Sequence, residues 1–250
     1  MLRALIVLPT FNEAENIDDV LRRVRGAVPE ADVLVVDDGS PDGTADLAEA
    51  LGVELGQITV LRRLEKNGLG AAYRAGFRWG LDAGYEALVE MDADLSHDPG
   101  ALPSLLAALE HAVDLVIGSR YVPGGSIPEW SWHRRALSRW GNRYAAGLLG
   151  LAVNDATAGF RAYRASMLRQ IDLDAVVADG YGFQIEMTYQ VVGHQGRVVE
   201  VPIAFTDRVR GTSKMSSRIV VEALGLVTWW ALRDRLLGGA RRRRRRSLNP

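Results

Sequence analysis

A chain of 250 residues, 48% hydrophobic and 24% charged, has room for one large α/β domain and little for a second. It contains no cysteine, which excludes disulfides, thiolate metal sites and thiol nucleophiles. The formal net charge of −1 conceals an asymmetry: Arg241 to Arg246 form a basic run in a terminal stretch without an acid, so the body is acidic. That argues against a general nucleic-acid binder, which spreads basic charge over its folded surface.

The N-terminal run Met1 to Pro9 is too short and too quickly interrupted for a signal peptide and reads as a first strand. Apolar runs at 4–8, 33–36, 58–61, 87–91 and 113–117 read as strands covered on both faces. Amphipathic stretches at about 14–27, 43–55, 69–83 and 100–111 alternate with them. The alternation predicts a doubly wound, mostly parallel, Rossmann-like sheet with ligands at the carboxyl ends of its strands. After Arg120 comes a turn-rich loop, Tyr121 to Pro128, then a helix at about 134–150 and a strand-like piece at 159–164. A helix at 181–194 and a strand at 198–205 follow, and an apolar-rich helix at 216–237 precedes the arginine run. The expected organisation is a catalytic domain over 1–215, an amphipathic interface helix over 216–240 and a disordered basic tail over 241–250. No stretch carries the ~20 apolar residues a membrane-spanning helix needs.

The strand tips carry the chemistry. In order they are Pro9-Thr10-Phe11-Asn12-Glu13, Val36-Asp37-Asp38-Gly39-Ser40, Asp92-Ala93-Asp94 and Gly118-Ser119-Arg120. Each has a plain structural reading: Asn12 as a helix cap, Asp37-Asp38-Gly39 as a turn, Asp92-Ala93-Asp94 as an acidic loop capping the next helix. All four on one rim point instead to a binding site. Two carboxylates one residue apart can converge on a hard divalent cation that grips a diphosphate. Only Lys66 and Lys214 are lysines, and Lys214 lies on a Gly-Thr-Ser-Lys loop able to bring a compact positive charge to a phosphate.

These strings resemble the inverting glycosyltransferases of family 2, and within them the dolichol- or polyprenol-phosphate mannose synthases. The resemblance continues in Gly118 to Tyr121, Asp155 to Arg161, Tyr181 to Glu186 and Phe205-x-x-Arg208-x-x-Gly211-x-Ser213-Lys214, covering about 3–215. It implies a GT-A fold, GDP-mannose as donor, a polyprenyl monophosphate as acceptor, and Mg²⁺ or Mn²⁺ as cofactor. By position, Pro9, Phe11, Glu13, Val36 and Asp38 match residues that hold the nucleoside. Asp92 and Asp94 match the metal and diphosphate site, with Ala93 between them against the nucleotide. Arg208 and Lys214 match cations on the donor phosphates. Phe11 replaces a more frequent Tyr, losing a hydroxyl contact. Ser96 stands where some relatives have a Gln ligand, and its shorter arm argues against direct ligation.

An acceptor phosphate, with its second pKa near ~6, is already anionic at neutral pH, so it needs placement rather than a general base. Arginine supplies a bidentate fork for that purpose. Arg120 and Arg134 are the expected acceptor cations, and with Asp94 they form the expected catalytic set; Arg135 and Arg139 are alternatives. His97 is expected to order its loop rather than act as a base. Trp229, Trp230 and the arginine run suit an anionic membrane surface, placing the protein peripherally on the cytoplasmic face. An integral-membrane partner protein is another source of an anchor. The competing readings are UDP-glucose transfer to undecaprenyl phosphate and a non-enzymatic nucleotide-sugar-binding membrane adaptor.

Overall fold

The computed structural model describes residues 2–207 and 217–246, with side chains of the last helix described over 222–236. Seven strands form one sheet: β1 (Ala4–Thr10), β2 (Asp32–Asp37), β3 (Ile58–Arg62), β4 (Ala87–Glu90), β5 (Leu115–Ser119), β6 (Arg161–Arg164) and β7 (Val198–Pro202). Their order is β3-β2-β1-β4-β6-β5-β7. Only β6 runs against the rest, pairing antiparallel with both β4 and β5. The chain leaves β1 toward β2 and β3 on one side and returns to place β4 on the other. A crevice therefore opens at the carboxyl ends of β1 and β4, where ligands of such sheets collect.

Strand alternation gives each sheet face its own core. Ile6 and Leu8 point to one face, under α1 (Ile17–Ala27), α2 (Thr44–Leu55) and α4 (Leu102–Glu110). Leu5 and Val7 point to the other, under α3 (Leu69–Asp82) and α7 (Gly180–Gly193). Gly76 lets α3 approach closely: a Cβ there would lie 2.4 Å from Val7 Cγ1. That approach brings Tyr73 beneath the crevice, stacked on Phe183. Two helices follow β5 and β6, α5 (Trp132–Leu149) and the short α6 (Ala165–Leu168). The last helix, α8, spans Ser217–Arg246 and packs on α5 and α7. Ala145, Ile185, Val227 and Trp230 form a third small core among these helices.

Two expectations need correction. The strand read at 198–205 ends at Pro202, and Ala204 and Phe205 make only isolated bridges, to Ser126 and His97. Proline has no N–H to continue the ladder. The run Arg241 to Arg246, expected as a disordered tail, continues α8, and arginine is itself a good helix former. Residues 247–250 lie outside the described residues.

Candidate active site

All four tips meet on one rim. Pro9 and Val36 are register partners on adjacent strands. The turn after β1 puts Asn12 at φ 58, in the left-handed region asparagine tolerates, with its amide donating to Ser40 Oγ at 2.9 Å. The helix-cap reading of Asn12 therefore fails; Asn16 takes that position and donates its Nδ2 to Glu13. Asp37 is structural: its carboxylate accepts from Thr10 Oγ1, Ser40 Oγ and the Ser40 amide, fixing one tip against the next. Asp38 turns the other way and accepts from Arg63 Nη1 at 2.7 Å. Burial raises its carboxyl above the usual range, and the Arg63 charge partly offsets that. Lys66, singled out only for its rarity, places its ammonium 4.1 Å from the centre of the Phe11 ring. The tips of β1 and β2 are thus tied together, with the Lys66 cation set against Phe11.

Across the crevice, Asp92 and Asp94 lie on a loop whose shape is set by its neighbours. Asp94, 5% exposed, accepts the Ser96 amide at 3.0 Å, and Leu95 between them adopts φ 63. Tyr73 donates its hydroxyl to Asp92 Oδ1 at 3.2 Å. His97 is buried, stacked on Phe160, and accepts the Asp92 amide on Nδ1. Burial pushes its pKa down to about 4, so the ring is neutral at pH 7 and acts as a fixed acceptor, which agrees with an ordering role. Ser96 is buried, with its carbonyl taken by Thr206.

No group of three or more His, Asp or Glu side chains that could hold a metal exists among the described residues. Two carboxylates, with Asp92 still 32% exposed, nevertheless fit a small hard cation, which commonly takes one or two protein carboxylates and completes its shell from phosphate and water. The donor set fits an ion completed by its substrate.

Arg120, at the tip of β5, is 6% exposed and clamped by Asp155: Nε and Nη2 donate to the carboxylate at 2.7 and 2.6 Å, and the Arg120 amide adds a third bond. Nη2 also reaches Thr157 Oγ1. Burial alone lowers the guanidinium pKa, but the Asp155 charge and hydrogen bonds outweigh it, and the net shift is upward. Arg134, at the start of α5, stacks 3.9 Å from the centre of Trp130 and pairs with Asp207, both half-exposed. Arg120 lies 5.6 Å from the same ring centre, so one indole gathers both guanidinium groups. Arg135 and Arg139 are exposed along α5. Arg208 and Lys214 lie outside the described residues.

Arg161, which the sequence places only at the end of a family-like string, has a role that sequence reasoning missed. It is fully buried, donating to the carbonyls of Ala156, Ala158 and Gln184 and to Thr188 Oγ1, and so holds the Asp155-to-Phe160 loop against α7. Beside Arg134, between α5, α7 and α8, runs an apolar groove of about 160 Å³ whose lining includes Trp130, Leu137, Trp140, Ile185 and Val227. No helix among the described residues is long and apolar enough to cross a membrane.

The family model described as "Glycosyl transferase family 2" matches residues 5–172. An undecaprenyl-phosphate mannosyltransferase of Micrococcus luteus is 54% identical over 237 residues, covering 95% of this chain and 97% of the relative. A polyprenol monophosphomannose synthase of Mycolicibacterium smegmatis is 51% identical over 235 residues, covering 94% and 89%. A dolichol-phosphate mannosyltransferase of Pyrococcus furiosus is 32% identical over 246 residues, covering 94% and 67%. Among solved structures, Mycobacterium tuberculosis glucosyl-3-phosphoglycerate synthase with phosphoglyceric acid aligns with a TM-score of 0.67 at 20% identity, covering 90% of this chain and 80% of that one. The same enzyme with Mn²⁺, UDP and glucosyl-3-phosphoglycerate aligns at 0.65 and 19%, covering 91% and 77%. These structural likenesses confirm the mixed α/β fold expected from the strand-helix alternation.

Proposed function

Because the chain belongs to glycosyltransferase family 2, we propose that its rim transfers mannose from GDP-mannose to a polyprenyl monophosphate, with inversion at the anomeric carbon. The product is a polyprenyl-phosphate β-mannose for downstream mannosylation. Pro9, Phe11, Glu13, Val36 and Asp38 hold the nucleoside, and Lys66 adds charge on the Phe11 side. Asp92 and Asp94 hold Mg²⁺ or Mn²⁺, with Ala93 packed between them; the bound ion neutralises the charge left on the departing diphosphate. Arg208 and Lys214 complete the phosphate contacts.

The single observation carrying this reading is the sharing of Trp130 by Arg120 and Arg134 on the rim that bears Asp92 and Asp94. An acceptor phosphate gripped there faces the donor, and the apolar groove beside Arg134 suits the first isoprene units behind it. Asp155 keeps Arg120 rigid, while Asp207 is a half-exposed partner that a phosphate dianion can displace from Arg134. Purified protein, Mn²⁺, polyprenyl-phosphate vesicles and radiolabelled GDP-mannose should yield a mild-acid-labile lipid product. Label entering lipid from UDP-glucose instead would overturn the donor assignment, and label from neither would overturn the reaction.

The protein works peripherally, on the cytoplasmic face of the membrane. Supporting this, Trp132, Leu137 and Trp140 on α5 and Trp229, Leu232 and Leu236 on α8 are exposed, in the mix of tryptophan and aliphatic groups that interfacial helices use. Deleting α8 would be a poor test, because Val227 and Trp230 belong to the third core. Trp229→Glu with Leu236→Glu changes only exposed positions. The pair should cut co-sedimentation with anionic vesicles severalfold at unchanged Tm; unchanged co-sedimentation would contradict the peripheral placement.

A further inference from the structure

Asn142 is a buried polar side chain within a helix, a placement that costs stability unless its hydrogen bonds are made. It stands on α5 at 1% exposure, and only Ala145 shares its burial on that helix. Its Nδ2 donates to the Ser138 carbonyl at 3.0 Å and to Thr157 Oγ1 at 3.2 Å, and its Oδ1 accepts the Thr157 amide at 3.0 Å. Thr157 Oγ1 also accepts from Arg120 Nη2 at 2.9 Å and donates to Asp155 Oδ1 at 3.4 Å. One hydroxyl, with one proton and two lone pairs, is thereby saturated by Arg120, Asp155 and Asn142.

The place of these bonds matters because of what α5 carries. Arg134 lies about 12 Å of helix rise before Asn142. Between Trp130, where the chain enters α5, and Asn142 no residue is buried. Beyond Asn142, Ala145 joins the third core, but apolar contact is non-directional and does not by itself fix the register of a helix. A carboxamide that exchanges two bonds with one residue does. From this chain of contacts we propose that Asn142 is the positioning residue of the acceptor cations. It pins α5 to the Asp155-to-Phe160 loop and so sets the span between Arg134 on the helix and Arg120 at the strand tip. A phosphate held between two guanidinium groups is sensitive to that span, since a misplacement of about 1 Å can cost roughly a hundredfold in rate. The bond from the Tyr121 hydroxyl to Ser138 Oγ, 2.7 Å, keeps α5 attached when Asn142 is replaced, so the expected fault is a shift rather than detachment.

The inference rests on the proposed acceptor site, so its test measures binding rather than turnover. Farnesyl phosphate, a soluble isoprenyl phosphate, and GDP with Mn²⁺ are titrated calorimetrically into the wild type, Asn142→Leu, Arg134→Ala and the double variant. Asn142→Leu should weaken farnesyl phosphate roughly tenfold and leave GDP within about twofold. In the Arg134→Ala background it should cost no more than about twofold further, because a span with one end removed can no longer be upset. A residue that only stabilised the fold would weaken both ligands together or exert its full effect in either background. Thr157→Val deletes the shared hydroxyl but keeps the amide bond to Asn142, and it serves should Asn142→Leu melt below the titration temperature. It should weaken farnesyl phosphate in the same way, and Thr157→Ser should not. Wild-type affinity for farnesyl phosphate in Asn142→Leu or Thr157→Val, or equal losses in the two backgrounds, would overturn the proposal. A wild type that fails to bind farnesyl phosphate would remove the acceptor site and this inference with it. Binding in the expected pattern by a wild type that transfers no label would instead refute the transfer reading alone.

Discussion

Asp94→Asn is expected to lower sugar transfer about a thousandfold while leaving the fold intact. The isosteric amide retains an oxygen to accept the Ser96 N–H, so the loop through Leu95 keeps its shape; only the charge is lost. Alanine would remove that acceptor as well and confuse the two effects. A chelator should produce the same loss in the wild type, reversed by excess Mn²⁺ or Mg²⁺, whereas the variant should not be rescued at ordinary metal concentrations. A variant retaining a tenth or more of the wild-type rate would show that Asp94 is not part of the ion site.

Arg120→Ala should be the most destabilising of the site substitutions, by about 3–5 kcal/mol, or roughly 10 °C in Tm for a chain of this size. The substitution leaves Asp155 charged and 0% exposed, with the Glu200 carboxylate nearby, bonded to the Asp155 amide. Asp155→Asn combined with Arg120→Ala should recover part of the loss, because the stranded charge is then gone. Arg134→Ala should cost far less, since its pair with Asp207 is half-exposed and such pairs contribute at most about 1 kcal/mol. Thermal melts of the four proteins read this directly. Equal melting temperatures for Arg120→Ala and the wild type would mean that the Asp155 clamp does not hold the tip of β5.

Much of this arrangement is written locally in the sequence. Apolar runs that alternate with amphipathic stretches locate β1 to β5 and the helices between them. Parallel winding then places Pro9, Val36, Asp92 and Arg120 on one rim. What the sequence does not show is long-range pairing. The reversed β6 is four residues long, and its apolar content is the same whichever way it runs. Arg161 breaks the ordinary rule that arginine is exposed, because carbonyls presented by the folded loop and α7 repay its burial. The Arg120–Asp155 clamp joins residues 35 positions apart, and Lys66 meets Phe11 only once β2 and β3 have folded between them.

The proposed arrangement separates donor from acceptor: carboxylates with a cation on one side of the hexose, guanidinium groups with a lipid phosphate on the other. Steady-state kinetics of Arg134→Ala, varying GDP-mannose and polyprenyl phosphate in turn, test it most directly. The KM for the lipid should rise tenfold or more, with the KM for GDP-mannose within about twofold of the wild type. An equal rise in both, or a rise confined to the nucleotide sugar, would contradict it.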